Sequence, residues 1–127
     1  WSTVLGTYND EQGAAFRAKY MERFPGVMGL AYTGMCYDSA YILKAAWEAT
    51  GDPNDFKAVN DYIRANPYRG VTGWYNLDDN VSNTYPGQTD NFEDAQAQLY
   101  VQVQNGEHKI IAPEIIKESD FVPVPWQ

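Results

Sequence analysis

Residues 31–51 read A-Y-T-G-M-C-Y-D-S-A-Y-I-L-K-A-A-W-E-A-T-G and hold the clearest periodic pattern in the chain. We expect an α-helix over about Gly34–Thr50, because apolar side chains recur there at helical spacing and can pack one face into a core. The members of that face are Ile42, Leu43, Ala46 and Trp47. Gly51 ends the helix, since glycine takes the left-handed conformation that closes the last turn.

The start of this helix combines small, polar and aromatic residues. Thr33 is a candidate cap, because its hydroxyl can accept a backbone N–H. Gly34 would let a ligand approach the main chain. The large side chains nearby either fill the core or form the wall of a ligand pocket, and the residues alone leave both interpretations open. The candidates for such a wall are Tyr32, Met35 and Tyr37, with Trp74 further along the chain.

The residues before this helix predict a strand and a second helix. Residues 1–8 favour a short strand, and Asn9-Asp10 offers a cap for an amphipathic helix over Glu11–Phe24. Its apolar face holds Phe16, Tyr20, Met21 and Phe24. Pro25-Gly26 breaks the helix, and Val27–Ala31 is expected to be a short buried strand or an extended connection.

A third helix is expected after Gly51, with Asp52 as its cap and proline at its first position. Its inward face holds Phe56, Val59, Tyr62 and Ile63. Asn66-Pro67 stops it, Tyr68–Gly73 reads as a connection, and Trp74–Leu77 as an extended segment.

The last third of the chain begins with a polar stretch over Asp78–Asp94, which predicts a long loop. Ala97–Ala112 alternates apolar and polar residues around Asn105-Gly106, the pattern of a β-hairpin. The proline-rich tail, residues 113–127, is expected to lie extended on the surface. Helices interleaved with short strands indicate an α/β fold. The strands are few for the helices, which suggests a piece of a longer protein.

Composition limits the class of protein. The 127 residues suffice for one domain with a core, and 44% hydrophobic residues argue against disorder. A net charge of −8 argues against nucleic acid as a partner. No apolar run is long enough to cross a bilayer, and one cysteine excludes a disulfide within the chain.

No catalytic group, metal site or cofactor site is predicted. His108 is the single histidine and reads as a solvated residue after the hairpin turn. Cys36 reads as a small buried residue and not as a nucleophile. The acids at 78–94 lack the regular spacing of a calcium loop. Binding without chemistry is therefore the expected role.

The order of motifs resembles the C-terminal third of type I periplasmic solute-binding proteins, in the Leu/Ile/Val family of ABC importers. The matching motifs are F-R-A-K-Y at 16–20, T-G-M-C-Y-D-S-A-Y-I-L-K-A-A at 33–46, G-V-T-G at 70–73 and Y-V-Q-V-Q-N-G-E-H-K-I-I-A-P at 100–113. The resemblance implies a two-lobe α/β fold with helices on a parallel sheet and a C-terminal hairpin.

The resemblance also implies a division of the chain. Residues 1–9 would cross from the second lobe, 10–77 would belong to the first lobe, 78–96 would return, and 97–127 would form the hairpin and tail of the second lobe. In the family an aromatic residue shortly before the Tyr-Asp pair lines the cleft, and that position is Tyr32 here.

The function that the resemblance implies is capture of an amino acid, or an aromatic or amide analogue, for delivery to an ABC permease. The location would be periplasmic, or extracellular at the membrane, and the rest of the two-lobe protein would complete the cleft. An alternative is a ligand-sensing regulatory domain of the same fold. An α/β enzyme would need a titratable cluster that the sequence does not contain.

Overall fold

The computed structural model describes residues 2–4, 6–26, 32–77, 96 and 98–125. Its elements in chain order are β1 (Ser2–Val4), α1 (Glu11–Arg23), α2 (Thr33–Thr50), α3 (Phe56–Ala65), β2 (Tyr68–Gly70), β3 (Gly73–Tyr75), β4 (Leu99–Gln104), β5 (Glu107–Ala112) and a 3₁₀ turn over Glu114–Ile116. The predicted buried segment at 27–31 and the predicted loop at 78–94 lie outside the described residues.

The predicted α/β class is confirmed, with helices and strands in one chain. The strands form a three-stranded sheet in the order β1-β4-β5 and a two-stranded sheet of β2 and β3. Every pairing among the described strands is antiparallel. The parallel sheet implied by the resemblance is therefore not among them.

The predicted hairpin, β4 and β5, supplies two of the three strands of the larger sheet, with β4 in the middle. Its turn lies at Asn105-Gly106, where both residues have positive φ, as the tight turns that suit twisted strands require. The buried core beside this sheet consists of Tyr8, Leu99, Val101, Ile110 and Ile116. Val103, although in phase with Leu99, is exposed near the turn.

The first strand is shorter than the sequence predicts but pairs as part of this sheet. Ser2–Val4 runs antiparallel to β4, with Val4 opposite Leu99. Residues 6–8 then leave the strand and are buried. β1 therefore lies beside β4, whose residues come about a hundred positions later in the sequence.

α1 follows its prediction closely. The Asp10 carboxylate accepts the Gly13 N–H at 2.8 Å and caps the helix. The other Asp10 oxygen pairs with Arg69, whose guanidinium lies 5.2 Å from the centre of the Tyr8 ring. The start of α1 is therefore fixed to β2.

α2 has the predicted length but differs at its start and on its face. Thr33 is the first helical residue and not the cap. The cap position is Tyr32, whose side chain makes no capping hydrogen bond. The end at Gly51 is confirmed, with φ of 75°.

The predicted apolar face of α2 is only partly covered. Ala46 is buried, Ile42 is half-buried, and Leu43 and Trp47 are 39% and 43% exposed. The reason is that α2 packs against α3 and β2, and these neighbours cover a narrow stripe of a helix 18 residues long. Cys36, predicted to be buried, is exposed on the same helix.

α3 begins three residues later than predicted. Asp55 caps it by accepting the Ala58 N–H at 3.0 Å, while Asp52 instead accepts the Asn54 N–H within the preceding turn. Phe56, expected to face inward, is 77% exposed, because it lies at the very start of the helix. Val59 is buried as predicted.

The segment predicted as a connection, Tyr68–Gly73, contains most of a second hairpin. β2 pairs with β3 over only three residues a side, with Gly70 opposite Gly73. Three-residue strands are too short for an alternating pattern to identify them in sequence.

Pro113 and Lys117 have the extended backbone predicted for the tail, and between them a 3₁₀ turn over Glu114–Ile116 buries Ile116. The tail is described as far as residue 125. Glu118 fixes it to the sheet, since its carboxylate accepts the Ile110 N–H at 2.8 Å. His108 is exposed on β5, opposite Val103. Among the described helices, none combines the length and apolar character needed to cross a membrane.

Candidate functional site

The start of α2 is anchored by a buried carboxylate. Asp38 is fully buried on the side of the helix that faces the β2–β3 turn. One oxygen accepts the Val71 N–H at 2.7 Å, and the other accepts the Thr72 N–H at 3.0 Å. A buried carboxylate is tolerated when such hydrogen bonds replace its water.

Two hydroxyl groups complete the surroundings of Asp38. The hydroxyl oxygens of Thr72 and Tyr75 lie 2.8 and 3.0 Å from the second carboxylate oxygen and 2.6 Å from one another. The Gln96 amide donates to the Thr72 hydroxyl at 2.8 Å. Burial, reinforced by the charge of Asp38, raises the pKa of Tyr75 well above its usual range. Its phenol stays a proton donor.

This network explains the G-V-T-G motif at 70–73. A Cβ on Gly70 would overlap the Asp38 carboxylate. Gly73 has φ of 116°, and a Cβ there would lie 2.7 Å from the Tyr8 hydroxyl oxygen. Only glycine satisfies both positions, so the motif encodes close packing around Asp38.

A groove of about 620 Å³ lies between α1, α2 and β2. Most of its lining is aromatic: Phe16 and Tyr20 from α1, Phe24 at the C-cap of α1, Tyr37 and Tyr41 from α2, and Tyr68 from β2. The volume falls within the usual range for small-molecule sites.

The rings of the groove form a continuous series across the two helices. Ring centres are 5.2 Å apart for Phe24 and Tyr20, 6.2 Å for Tyr20 and Phe16, and 4.7 Å for Phe16 and Tyr37. Tyr37 and Tyr41 are also 4.7 Å apart. All four pairs are tilted, within the spacing at which aromatic rings attract.

The electrostatics of the groove are one-sided. Among the residues that the structure describes, the charged ones lining it are Lys19 and Arg23, both cationic. A hydrogen bond with Tyr41, followed by burial, raises the pKa of Tyr37 to about 12. Burial, with the nearby Asp38 charge, raises the pKa of Tyr68. The phenols of Tyr37 and Tyr68 are therefore neutral hydrogen-bonding groups at physiological pH.

The four predicted ligand-binding residues do not form one cluster. Tyr37 lines the groove. Tyr32, at the first turn of α2, is 77% exposed. Met35 is half-buried on the same turn, and its carbonyl accepts the Ser39 hydroxyl. Trp74 is half-buried on β3, opposite Arg69. Tyr32, Met35 and Trp74 are not among the groove-lining residues.

Sequence reasoning missed the roles of Asp38 and of the α1 aromatics. Phe16, Tyr20 and Phe24 follow at four-residue steps, which identifies a helix face but not what that face meets. The signal in the sequence is an acid within an apolar helix, four residues after Gly34 and followed later by a Gly-x-x-Gly turn. Among the described residues, no group of three potential metal ligands lies together.

Comparison with known proteins found one clear relationship, in structure. No family model matches the sequence, and no curated protein matches it either. A crystal structure from Silicibacter pomeroyi, provisionally described as a branched-chain amino acid ABC transporter, superposes with a TM-score of 0.78 at 27% identity. The match covers 96% of this chain and 33% of that one.

The chain thus spans about a third of the length of the protein that it resembles. The likeness that the sequence motifs suggest is confirmed, because the superposition takes in all but 4% of the chain. The fold is that of about a third of the Silicibacter pomeroyi protein.

Proposed function

We propose that this chain is part of the solute-binding component of an ABC importer, which captures an amino acid or a similar small solute without converting it. The supporting observation is the structural match over nearly the whole chain to a protein described as a branched-chain amino acid ABC transporter. On this proposal the protein works in the periplasm, or outside the cell at the membrane, and delivers its solute to a permease.

The proposed mechanism is capture between two lobes. Residues 10–77 belong to one lobe, residues 97–127 to the other, and residues 1–9 and 78–96 cross between them. The pairing of β1 with β4 supports this division, since it puts the first residues beside the C-terminal hairpin. A solute that touches both lobes favours the closed form, which the permease then recognises.

Tyr32 is the residue through which we propose that this chain meets the solute. Its ring is 77% exposed, while its backbone starts a helix whose first turns are fixed by Asp38. An exposed ring on a fixed backbone can pack against a solute side chain at low entropic cost. Met35, Tyr37 and Trp74 are proposed as further contacts of the same kind.

The test is solute affinity of the complete polypeptide, measured by calorimetry with a panel of branched-chain and aromatic amino acids. Tyr32→Ala is expected to weaken binding about tenfold or more, which corresponds to about 1.4 kcal/mol. Phe56→Ala is the matched control, because Phe56 is also 77% exposed but lies on α3. An unchanged dissociation constant in Tyr32→Ala would remove Tyr32 from the site.

A further inference from the structure

We propose that the aromatic groove between α1 and α2 is a second small-molecule site, which takes a flat aromatic molecule bearing a carboxylate. This site goes beyond the solute capture proposed above: it shares Tyr37 with that proposal, but its lining does not include Tyr32, Met35 or Trp74.

The shape of the groove fits a flat apolar ligand. Six aromatic side chains surround a volume of about 620 Å³, enough for a ring system with a short side chain. Tyr41 is 43% exposed at one side, and Phe24 is 54% exposed at the end of α1. A ring entering there would extend the existing series of tilted aromatic contacts between Phe16, Tyr37 and Tyr41.

The charge of the groove selects an anion. The whole chain has a net charge of −8, yet in the described part of the chain the charged residues that line the groove are Lys19 and Arg23. In the part of the chain that the structure describes, ion pairs occupy other cations: Arg17, Lys44, Lys57, Arg69, Lys109 and Lys117. Lys19 and Arg23 are not among them.

These two cations are placed to act together. They lie four residues apart on α1 and so share one face of the helix. The Arg23 guanidinium lies 5.6 Å from the centre of the Phe24 ring, which keeps it against the aromatic wall. A carboxylate at this rim would receive charge-assisted hydrogen bonds while its ring occupies the apolar part. Gln12 adds a neutral polar group to the lining.

Phenylacetate is the probe, and 2-phenylacetamide is its neutral counterpart of nearly the same shape. Binding of each to the complete polypeptide is followed by calorimetry and by chemical-shift changes in α1 and α2. Phenylacetate is expected to bind at least tenfold more tightly than the amide. Lys19→Gln with Arg23→Gln is expected to remove that difference and leave amide binding within twofold of wild type.

Two further variants test whether the groove itself holds the probes. Lys44→Gln with Lys57→Gln removes the same total charge from exposed ion pairs outside the groove, and we expect phenylacetate binding within twofold of wild type. Tyr41→Ala removes part of the wall from a partly exposed position, and both probes are expected to bind at least fivefold more weakly. Circular dichroism confirms that each variant keeps its helices.

Several results would overturn the proposal. One is the absence of saturable phenylacetate binding, and another is equal affinity for phenylacetate and its amide. Equal losses in the two charge-removing variants would mean attraction by overall charge and not by the groove. Loss of phenylacetate binding in Tyr32→Ala would locate the ligand elsewhere. Sedimentation could also show a dimer. If phenylacetate leaves that dimer intact and Tyr41→Ala disrupts it, a second copy of the chain occupies the groove.

The outcomes also separate this proposal from solute capture. Tyr32→Ala is expected to change amino-acid affinity and not phenylacetate affinity, and Tyr41→Ala is expected to do the reverse. If the amino-acid measurements contradict solute capture, the phenylacetate measurements still test the groove, and the converse also holds.

Discussion

At the scale of single residues, Asp38 determines how the helices meet the β2–β3 turn. Its two oxygens accept from the backbone of Val71 and Thr72 and from nearby hydroxyls. The local signal, an acid within an apolar helix, does not by itself establish that Asp38 is buried, because burial depends on a turn more than thirty residues away. Long-range hydrogen bonds of this kind cannot be predicted from the pattern of neighbouring residues in the sequence.

Asp38→Asn is therefore expected to destabilise the protein by about 2 to 3 kcal/mol, since the new amide group would direct its own N–H toward donors. The measurement is urea unfolding, combined with hydrogen exchange at the Val71 and Thr72 amides. Asp61→Asn is the control: it is the same substitution at an exposed ion pair with Lys57, where a loss of about 0.5 kcal/mol or less is expected. Equal losses in both variants would contradict the structural role of Asp38.

At the scale of elements, the sequence predicts best where the deciding interactions are local. The cap of α1, the end of α2 at Gly51 and the Asn105-Gly106 hairpin turn each depend on residues within four positions, and all three are confirmed. The predicted cap of α3 is wrong because Asp52 and Asp55 both suit the position, and the proline between them favours the earlier one. The site is harder to predict, because Tyr37 of α2 contacts Phe16 of α1 only across the groove, through their rings.

The pairing of Tyr37 and Tyr41 along α2 makes a prediction about alkaline pH. The pKa of Tyr37 is raised to about 12, chiefly by its hydrogen bond with Tyr41, while an unfolded tyrosine titrates near 10. The folded state then holds the proton more tightly than the unfolded state. This contribution to stability is complete below pH 10 and is lost as pH rises toward 12.

Tyr41→Phe keeps the ring but removes the hydroxyl, so the Tyr37 pKa is expected to fall toward 10. Absorbance titration of tyrosinate, with Tyr37→Phe used to assign the signal, measures this shift. Tyr62→Phe on α3 is the control and should leave the Tyr37 titration in place. A Tyr37 pKa that stays near 12 in Tyr41→Phe would show that burial, and not the hydrogen bond, is the cause.

At the scale of the whole molecule, one arginine joins the helical part to the three-stranded sheet. Arg17 of α1 donates to the Thr7 carbonyl at 2.5 Å and to the Glu118 carboxylate at 3.1 Å. Glu118 in turn accepts the Ile110 N–H of β5. The link spans 101 residues of sequence and connects the segment after β1, the first helix and the tail.

Arg17→Met keeps much of the apolar stem and removes the guanidinium, and a loss of about 1 to 3 kcal/mol is expected because the Thr7 carbonyl and one Glu118 oxygen lose a charged donor. Both partners are mostly shielded, with side-chain exposures of 23% and 16%, so solvent replaces these bonds poorly. Lys44→Met, at a pair 60% and 64% exposed, should change stability far less than Arg17→Met, because solvent screens the pair. Hydrogen exchange would show where Arg17→Met weakens the structure. If Arg17 joins the helices to the sheet, we expect faster exchange at the Ile110 amide and in the tail, and unchanged exchange in α3. Uniform acceleration across α3 as well would mean that the substitution weakens the whole fold and that the helices and the sheet do not depend on this link in particular.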